Sequence, residues 1–142
     1  MPRLYVGGPC ATRERKLDRE ALAALDASAR IDDVGTVVDG RVGTAVRLAG
    51  LAALVEPTAA ARFVHVASAD GGFTANIPLE QALGGGLVLY EHGGAALPAR
   101  FGGPFRLLFT DSEDCSVNVK FLRSIEFVSN RGAHTAHCAD DG

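Results

Sequence analysis

The chain has 142 residues, 14 Lys and Arg against 17 Asp and Glu, a formal net charge of −3, and 47% apolar residues with 6% aromatic. That length suits one domain, which buries about 70% of the surface its unfolded chain exposes, and the composition is too apolar for intrinsic disorder and lacks the glycine period of collagen. The acidic balance and the absence of a basic run argue against nucleic acid as a partner.

Leu4-Tyr5-Val6 before Gly7-Gly8-Pro9 reads as a short strand closed by a turn. Leu17, Ala21, Leu22 and Leu25 recur at helical spacing, with Asp18 and Glu20 at the positive end of the helix dipole. Asp33 to Gly43 suits strand and turn, and Val46, Leu48, Leu51, Ala52 and Val55 share a helical face that Pro57 ends. Arg62 to Ser68 and Phe73 to Ile77, joined through Asp70-Gly71-Gly72, predict a hairpin, followed by a helical turn over Leu79 to Leu83 and a flexible glycine turn over Gly84 to Gly86. Leu87 to Tyr90 reads as a strand buried on both faces. Phe105 to Phe109 and Val119 to Val128 are further β-rich runs, and the polar stretch from Ser129 to Gly142 is expected to be mobile. The expectation is an α/β (α+β) protein, a single-domain mixed sheet with short helices over residues 1–128 and a flexible tail over 129–142.

No run approaches the ~20 apolar residues of a membrane helix, and the polar stretch from Met1 to Lys16 has no signal-peptide core, so a cytoplasmic protein with no membrane partner is expected. Cys10, Cys115 and Cys138 are far apart and odd in number, which predicts free thiols. There is no phosphate-cradling Gly-Lys-Ser loop, Cys-x-x-Cys or Gly-x-Ser-x-Gly elbow. His65 alternates with apolar neighbours and reads as a hydrogen-bonded, partly buried histidine, whereas His92 follows Tyr90-Glu91 at a turn and is the better site candidate. Asp111, Glu113 and Asp114 before Cys115 read as a solvated acidic loop, and His134, His137 and Cys138 as part of a solvated tail that lacks a fourth metal ligand.

Four segments then follow in order. Residues 69–80 read Ala-Asp-Gly-Gly-Phe-Thr-Ala-Asn-Ile-Pro-Leu-Glu, and Leu97-Pro98 comes next. After them come Gly102-Gly103-Pro104-Phe105-Arg106-Leu107 and Val119-Lys120-Phe121-Leu122-Arg123-Ser124-Ile125. Their order and spacing resemble the molybdopterin-binding domain of the sulfite oxidase family of oxidoreductases, over residues 4 to 127. The resemblance implies the sulfite-oxidase-type molybdopterin-binding fold and a molybdopterin-binding oxidoreductase-like domain, whose partner is a pterin or another anionic small molecule. On this resemblance Arg106 and Lys120 either face one cleft and hold the cofactor's phosphate or are ordinary strand residues, Arg106 snorkelling at a sheet edge and Lys120 solvated; His92 and Asn118 are further candidate cofactor-binding residues. Phe73, Tyr90, Phe101 and Phe105 either line a pterin cleft or belong to the core.

The family ligates molybdenum through a cysteine between its first helix and its Leu-rich helix, and Arg30 to Val46 contains none. Cys10 is expected on a peripheral strand, no catalytic residue is assigned, no metal ligand set is expected, and ordinary sulfite-oxidase catalysis is not expected. The alternative is a noncatalytic small-molecule-binding or protein-interaction module on the same scaffold.

Overall fold

The protein is described from a computed structural model that covers residues 2–38, 42–110 and 119–130. Asn118, the acidic loop before Cys115 and the His134, His137 and Cys138 cluster lie outside these residues.

Leu4 and Val6 point into the core while Tyr5 points out, the period-2 alternation of a strand buried on one face, and they form β1 (Leu4–Gly7). β1 pairs antiparallel with β2 (Arg15–Leu17) and parallel with the last strand, β10 (Leu122–Val128). β10 in turn pairs with β5 (Phe63–Ser68), which forms the expected hairpin with β6 (Thr74–Pro78). The first sheet is thus mixed, in the order β2-β1-β10-β5-β6. Leu17 belongs to β2 and not to the first helix, because it stands opposite Leu4 in the ladder; Asp18 then caps α1 (Arg19–Ala23), its carboxylate accepting from Ala21 N at 2.8 Å.

The second sheet is entirely antiparallel and holds β3 (Arg30–Ile31), β4 (Thr44–Arg47), β7 (Gly86–His92), β8 (Ala95–Ala96) and β9 (Arg106–Phe109). β7 pairs with β4, β8 and β9. Its side chains alternate between two apolar clusters: Val88 and Tyr90 enter the main core, while Leu87 and Leu89 join Ile31, Val34, Ala45, Leu97 and Leu108 on the other side. This double burial explains the unbroken apolar run in the sequence. It also explains why one expected sheet becomes two, since β7 and β9 are apolar on both faces and a single core leaves one face wet.

The amphipathic run expected from Val46 begins later. Val46 lies in β4 opposite Val88, and α2 (Leu48–Val55) buries Leu48, Leu51, Ala52 and Val55. α3 (Leu79–Gly85) absorbs Gly84 and Gly85, which were expected in a flexible turn, and Gly86 opens β7 directly. Cys10 is not on a peripheral strand. It follows β1 in a turn, is 7% exposed within the main core, and its amide donates to Phe127 O at 2.9 Å. Among the described residues no helix is long and apolar enough to cross a membrane.

Candidate functional site

The connection from β8 to β9 gathers the cationic side chains. After Pro98 the chain makes one 3-10 turn, Ala99–Phe101, which ends at Gly102 with φ +89°, a left-handed conformation that costs L-residues a backbone clash. Gly102 N donates to Ala99 O at 2.9 Å and Gly103 N to Pro98 O at 3.0 Å, closing the turn. Phe121 N donates to Gly102 O and Leu122 N to Phe105 O, each at 2.7 Å, so the turn is tied to the chain entering β10. Leu107 and Val119 exchange two backbone hydrogen bonds, at 2.8 and 3.1 Å, and join the second sheet to the same entry.

These ties bring Arg106, the first residue of β9, and Lys120, just ahead of β10, onto one spot. A Cβ on residue 102 would lie 2.9 Å from Lys120 Cγ and 3.0 Å from Arg106 Cδ, so the two stems cross over the bare face of Gly102. Arg106 Nη1 donates to Phe101 O at 3.3 Å. The His92 ring centroid is 4.6 Å from that of Phe101, and the Arg100 guanidinium carbon stands 5.0 Å from the same ring, a cation-π distance. Three of the four residues singled out in the sequence, Arg106, Lys120 and His92, therefore surround one turn. Arg100 and Gly102 complete the group. Sequence reading missed Arg100 and the role of Gly102; the Gly-Gly-Pro run directly after Arg100-Phe101 was the available signal.

Glu91, next to His92, binds Arg19 at 3.1 Å on a strand shared with the second core. Arg106 and His92 are half-buried, Arg100 and Lys120 exposed. Of the four aromatics, Tyr90 and Phe105 are core, and burial raises the Tyr90 hydroxyl above its ordinary pKa. Phe101 is 37% exposed and belongs to the turn. His65 is half-buried with Nδ1 at 3.0 Å from Asn76 Oδ1, away from this group and opposite Asn76 in the β5–β6 ladder. Behind the turn a cavity of about 330 Å³ is bordered by Pro104, Phe105 and the ion-paired Arg19.

The residue types suit the phosphate of a pterin cofactor: Arg and Lys both pair with phosphate, and the stems of Arg106 and Lys120 pack together against the bare face of Gly102, where a Cβ would collide with them. Molybdenum held by a thiolate does not fit the described residues. Cys10 is the cysteine among them, sealed in the core, and no three His, Cys, Asp or Glu side chains among them converge on a metal-sized space.

A sequence profile of the oxidoreductase molybdopterin binding domain matches residues 10–136. A search of curated protein sequences finds no match. Among solved structures, the crystal structure of the sulfane dehydrogenase SoxCD from Paracoccus pantotrophus superposes with a TM-score of 0.69 at 15% identity, covering 92% of this chain and 39% of that one. The likeness shows a shared fold, and this chain spans about two fifths of the length of that dehydrogenase chain.

Proposed function

Because the chain belongs to the oxidoreductase molybdopterin-binding domain family, we propose that it holds a pterin-type ligand by its phosphate between Arg106 and Lys120, with His92 and Arg100 bordering the site. The observation that carries this reading is the crossing of the two cationic stems over Gly102. Arg106 would contribute a guanidinium fork and Lys120 a positive charge on a flexible stem, the two side-chain types that pair with phosphate. His92, tilted against the Phe101 ring, is placed to contribute a hydrogen bond from its imidazole. The cofactor brings redox chemistry where it carries molybdenum. This chain's described residues supply binding and orientation, and no metal step is derived from them.

The second reading, a noncatalytic binding or interaction module on the same scaffold, draws on one observation, the absence of cysteine from Arg30 to Val46. A cytoplasmic setting belongs to the same proposal, supported by an odd cysteine count and by Cys10 as a buried free thiol.

Expression in a host that makes the cofactor, followed by oxidative release of fluorescent pterin and elemental analysis, tests both readings. Stoichiometric pterin is expected, lost in the Arg106→Gln/Lys120→Gln double variant while the circular dichroism spectrum is kept. Pterin retained in that variant, or absent from the parent, overturns the proposed site. Cys10→Ala is expected to leave pterin and metal content unchanged; metal lost in that variant would mean that the chain routes Cys10 into the centre.

A further inference from the structure

The first sheet covers the main core with one face only. On the opposite face its pairing sets one row of side chains: Lys16 opposite Tyr5, Tyr5 opposite Ser124, and Ser124 opposite Ala67, across β2, β1, β10 and β5. The middle of the row is short and its ends are long. Ala67 and Ser124 are half-buried, while Arg3, Lys16 and Arg123 rise around them, and the difference in length leaves a cavity of about 440 Å³. That size lies in the range of small-molecule pockets.

The charges around this hollow are unbalanced. The ion pairs among the described residues use Arg13, Arg19 and Arg30, and none involves Arg3, Lys16 or Arg123. The Tyr5 hydroxyl is committed, donating to Glu14 Oε2 at 2.9 Å and accepting from Gly8 N at 3.3 Å, so its ring is a fixed wall. Ser68 donates its hydroxyl to Asp70 Oδ1 at 2.6 Å and contributes only its stem. Three cations therefore face a hollow whose single lining carboxylate is Glu126, also in no ion pair among the described residues.

We propose that this hollow is a second anion site, sharing no residue with the Arg106 and Lys120 group, and that its ligand is a small phosphomonoester with a hydroxylated body. A tetrahedral dianion offers acceptor oxygens to two guanidinium forks and one ammonium together. Glu126 sets the other half of the selectivity: it repels a second anionic group and accepts a hydrogen bond from a hydroxyl, which disfavours pyrophosphate and favours a phosphorylated polyol.

The test is an amide-resolved NMR titration of the full chain with ribose 5-phosphate, inorganic phosphate and pyrophosphate. Ribose 5-phosphate is expected to shift the Lys16, Ala67 and Ser124 amides saturably and to bind more tightly than the other two, with affinity falling as salt rises. Arg3→Gln/Arg123→Gln, at two exposed positions, should weaken it about tenfold or more, the scale of one lost charge-assisted hydrogen bond, with the rest of the spectrum superimposable. Glu126→Gln should narrow or reverse the preference over pyrophosphate, and Arg106→Gln should change nothing at these amides. No saturable shift, shifts confined to the Phe101 to Arg106 turn, or an affinity indifferent to the Arg3 and Arg123 changes would each overturn the proposal. Pterin absent from the parent chain, or retained in the Arg106→Gln/Lys120→Gln variant, with these shifts intact would count against the Arg106 and Lys120 site alone.

Discussion

Replacing Gly102 by alanine tests the site at its narrowest point, and Gly94→Ala supplies the control. Both residues hold a left-handed backbone, at φ +89° and +83°. For an alanine, that conformation costs about 1–2 kcal/mol at either position. At Gly94 the new methyl meets nothing within 4 Å, whereas at Gly102 it meets Lys120 Cγ at 2.9 Å and Arg106 Cδ at 3.0 Å. Pushing each of these stems off its rotamer costs on the order of 0.5–1.5 kcal/mol. Gly102→Ala is therefore expected to be less stable than Gly94→Ala by roughly 1–3 kcal/mol, which at a typical urea dependence of about 1.5 kcal/mol/M separates the two midpoints by roughly 0.7–2 M. The chain has no tryptophan, so unfolding is followed by far-ultraviolet circular dichroism. Affinity for a phosphorylated hydroxymethylpterin should fall about tenfold or more in Gly102→Ala alone, because the two cations lose their shared position. Equal midpoints together with equal affinities would refute the crossing of the stems over residue 102.

The β5–β6 turn gives a pH signature: the Ser68 hydroxyl, and after it the Gly72 amide, hold the Asp70 carboxyl below its ordinary pKa of 3.8. A lowered carboxyl stabilises the fold above the unfolded value and loses that contribution as pH falls through the folded one. Ser68→Ala should therefore flatten the acid limb of a stability–pH curve below pH ~3.8; an unchanged limb would refute the assignment. With the domain taken as residues 1–128, truncation after Ser129 leaves β10 whole and should cost less than about 1 kcal/mol, read as a midpoint shift of a few degrees. A collapse of the thermal transition would place the domain boundary further on.

Elements with a strong local pattern were legible in the sequence. The β5–β6 hairpin carried its own turn chemistry in Asp70-Gly71-Gly72, and β7 carried an unbroken apolar run because two clusters cover it. β2 was not legible: its polar Arg15 and Lys16 occupy a sheet edge, and only pairing with β1 makes them a strand. The same nonlocal cause moved Leu17 and Val46 out of helices, since each has a ladder partner that outweighs its helical spacing. At the candidate site, Arg106 and Lys120 stood out through a family-like pattern, but their meeting point did not, because it depends on Gly102 bonding to Phe121. The hollow among Arg3, Lys16 and Arg123 had no sequence signature at all, as it joins positions from both ends of the chain through strand order.

The parallel pairing of β1 with β10 also bears on how the protein is made. During translation β1 emerges first and its partner last, so the middle of the first sheet stays open until nearly every other strand has left the ribosome. The β5–β6 hairpin, complete much earlier, waits with the β5 edge that β10 will occupy still unpaired. Unpaired edges of this kind recruit other chains, and pairing between distant segments is slow to form. Substitutions in β10 that weaken its docking should thus appear first as lower soluble yield at fast expression, before any change in ligand affinity, and slowing synthesis or adding a chaperone that shields strands should recover them.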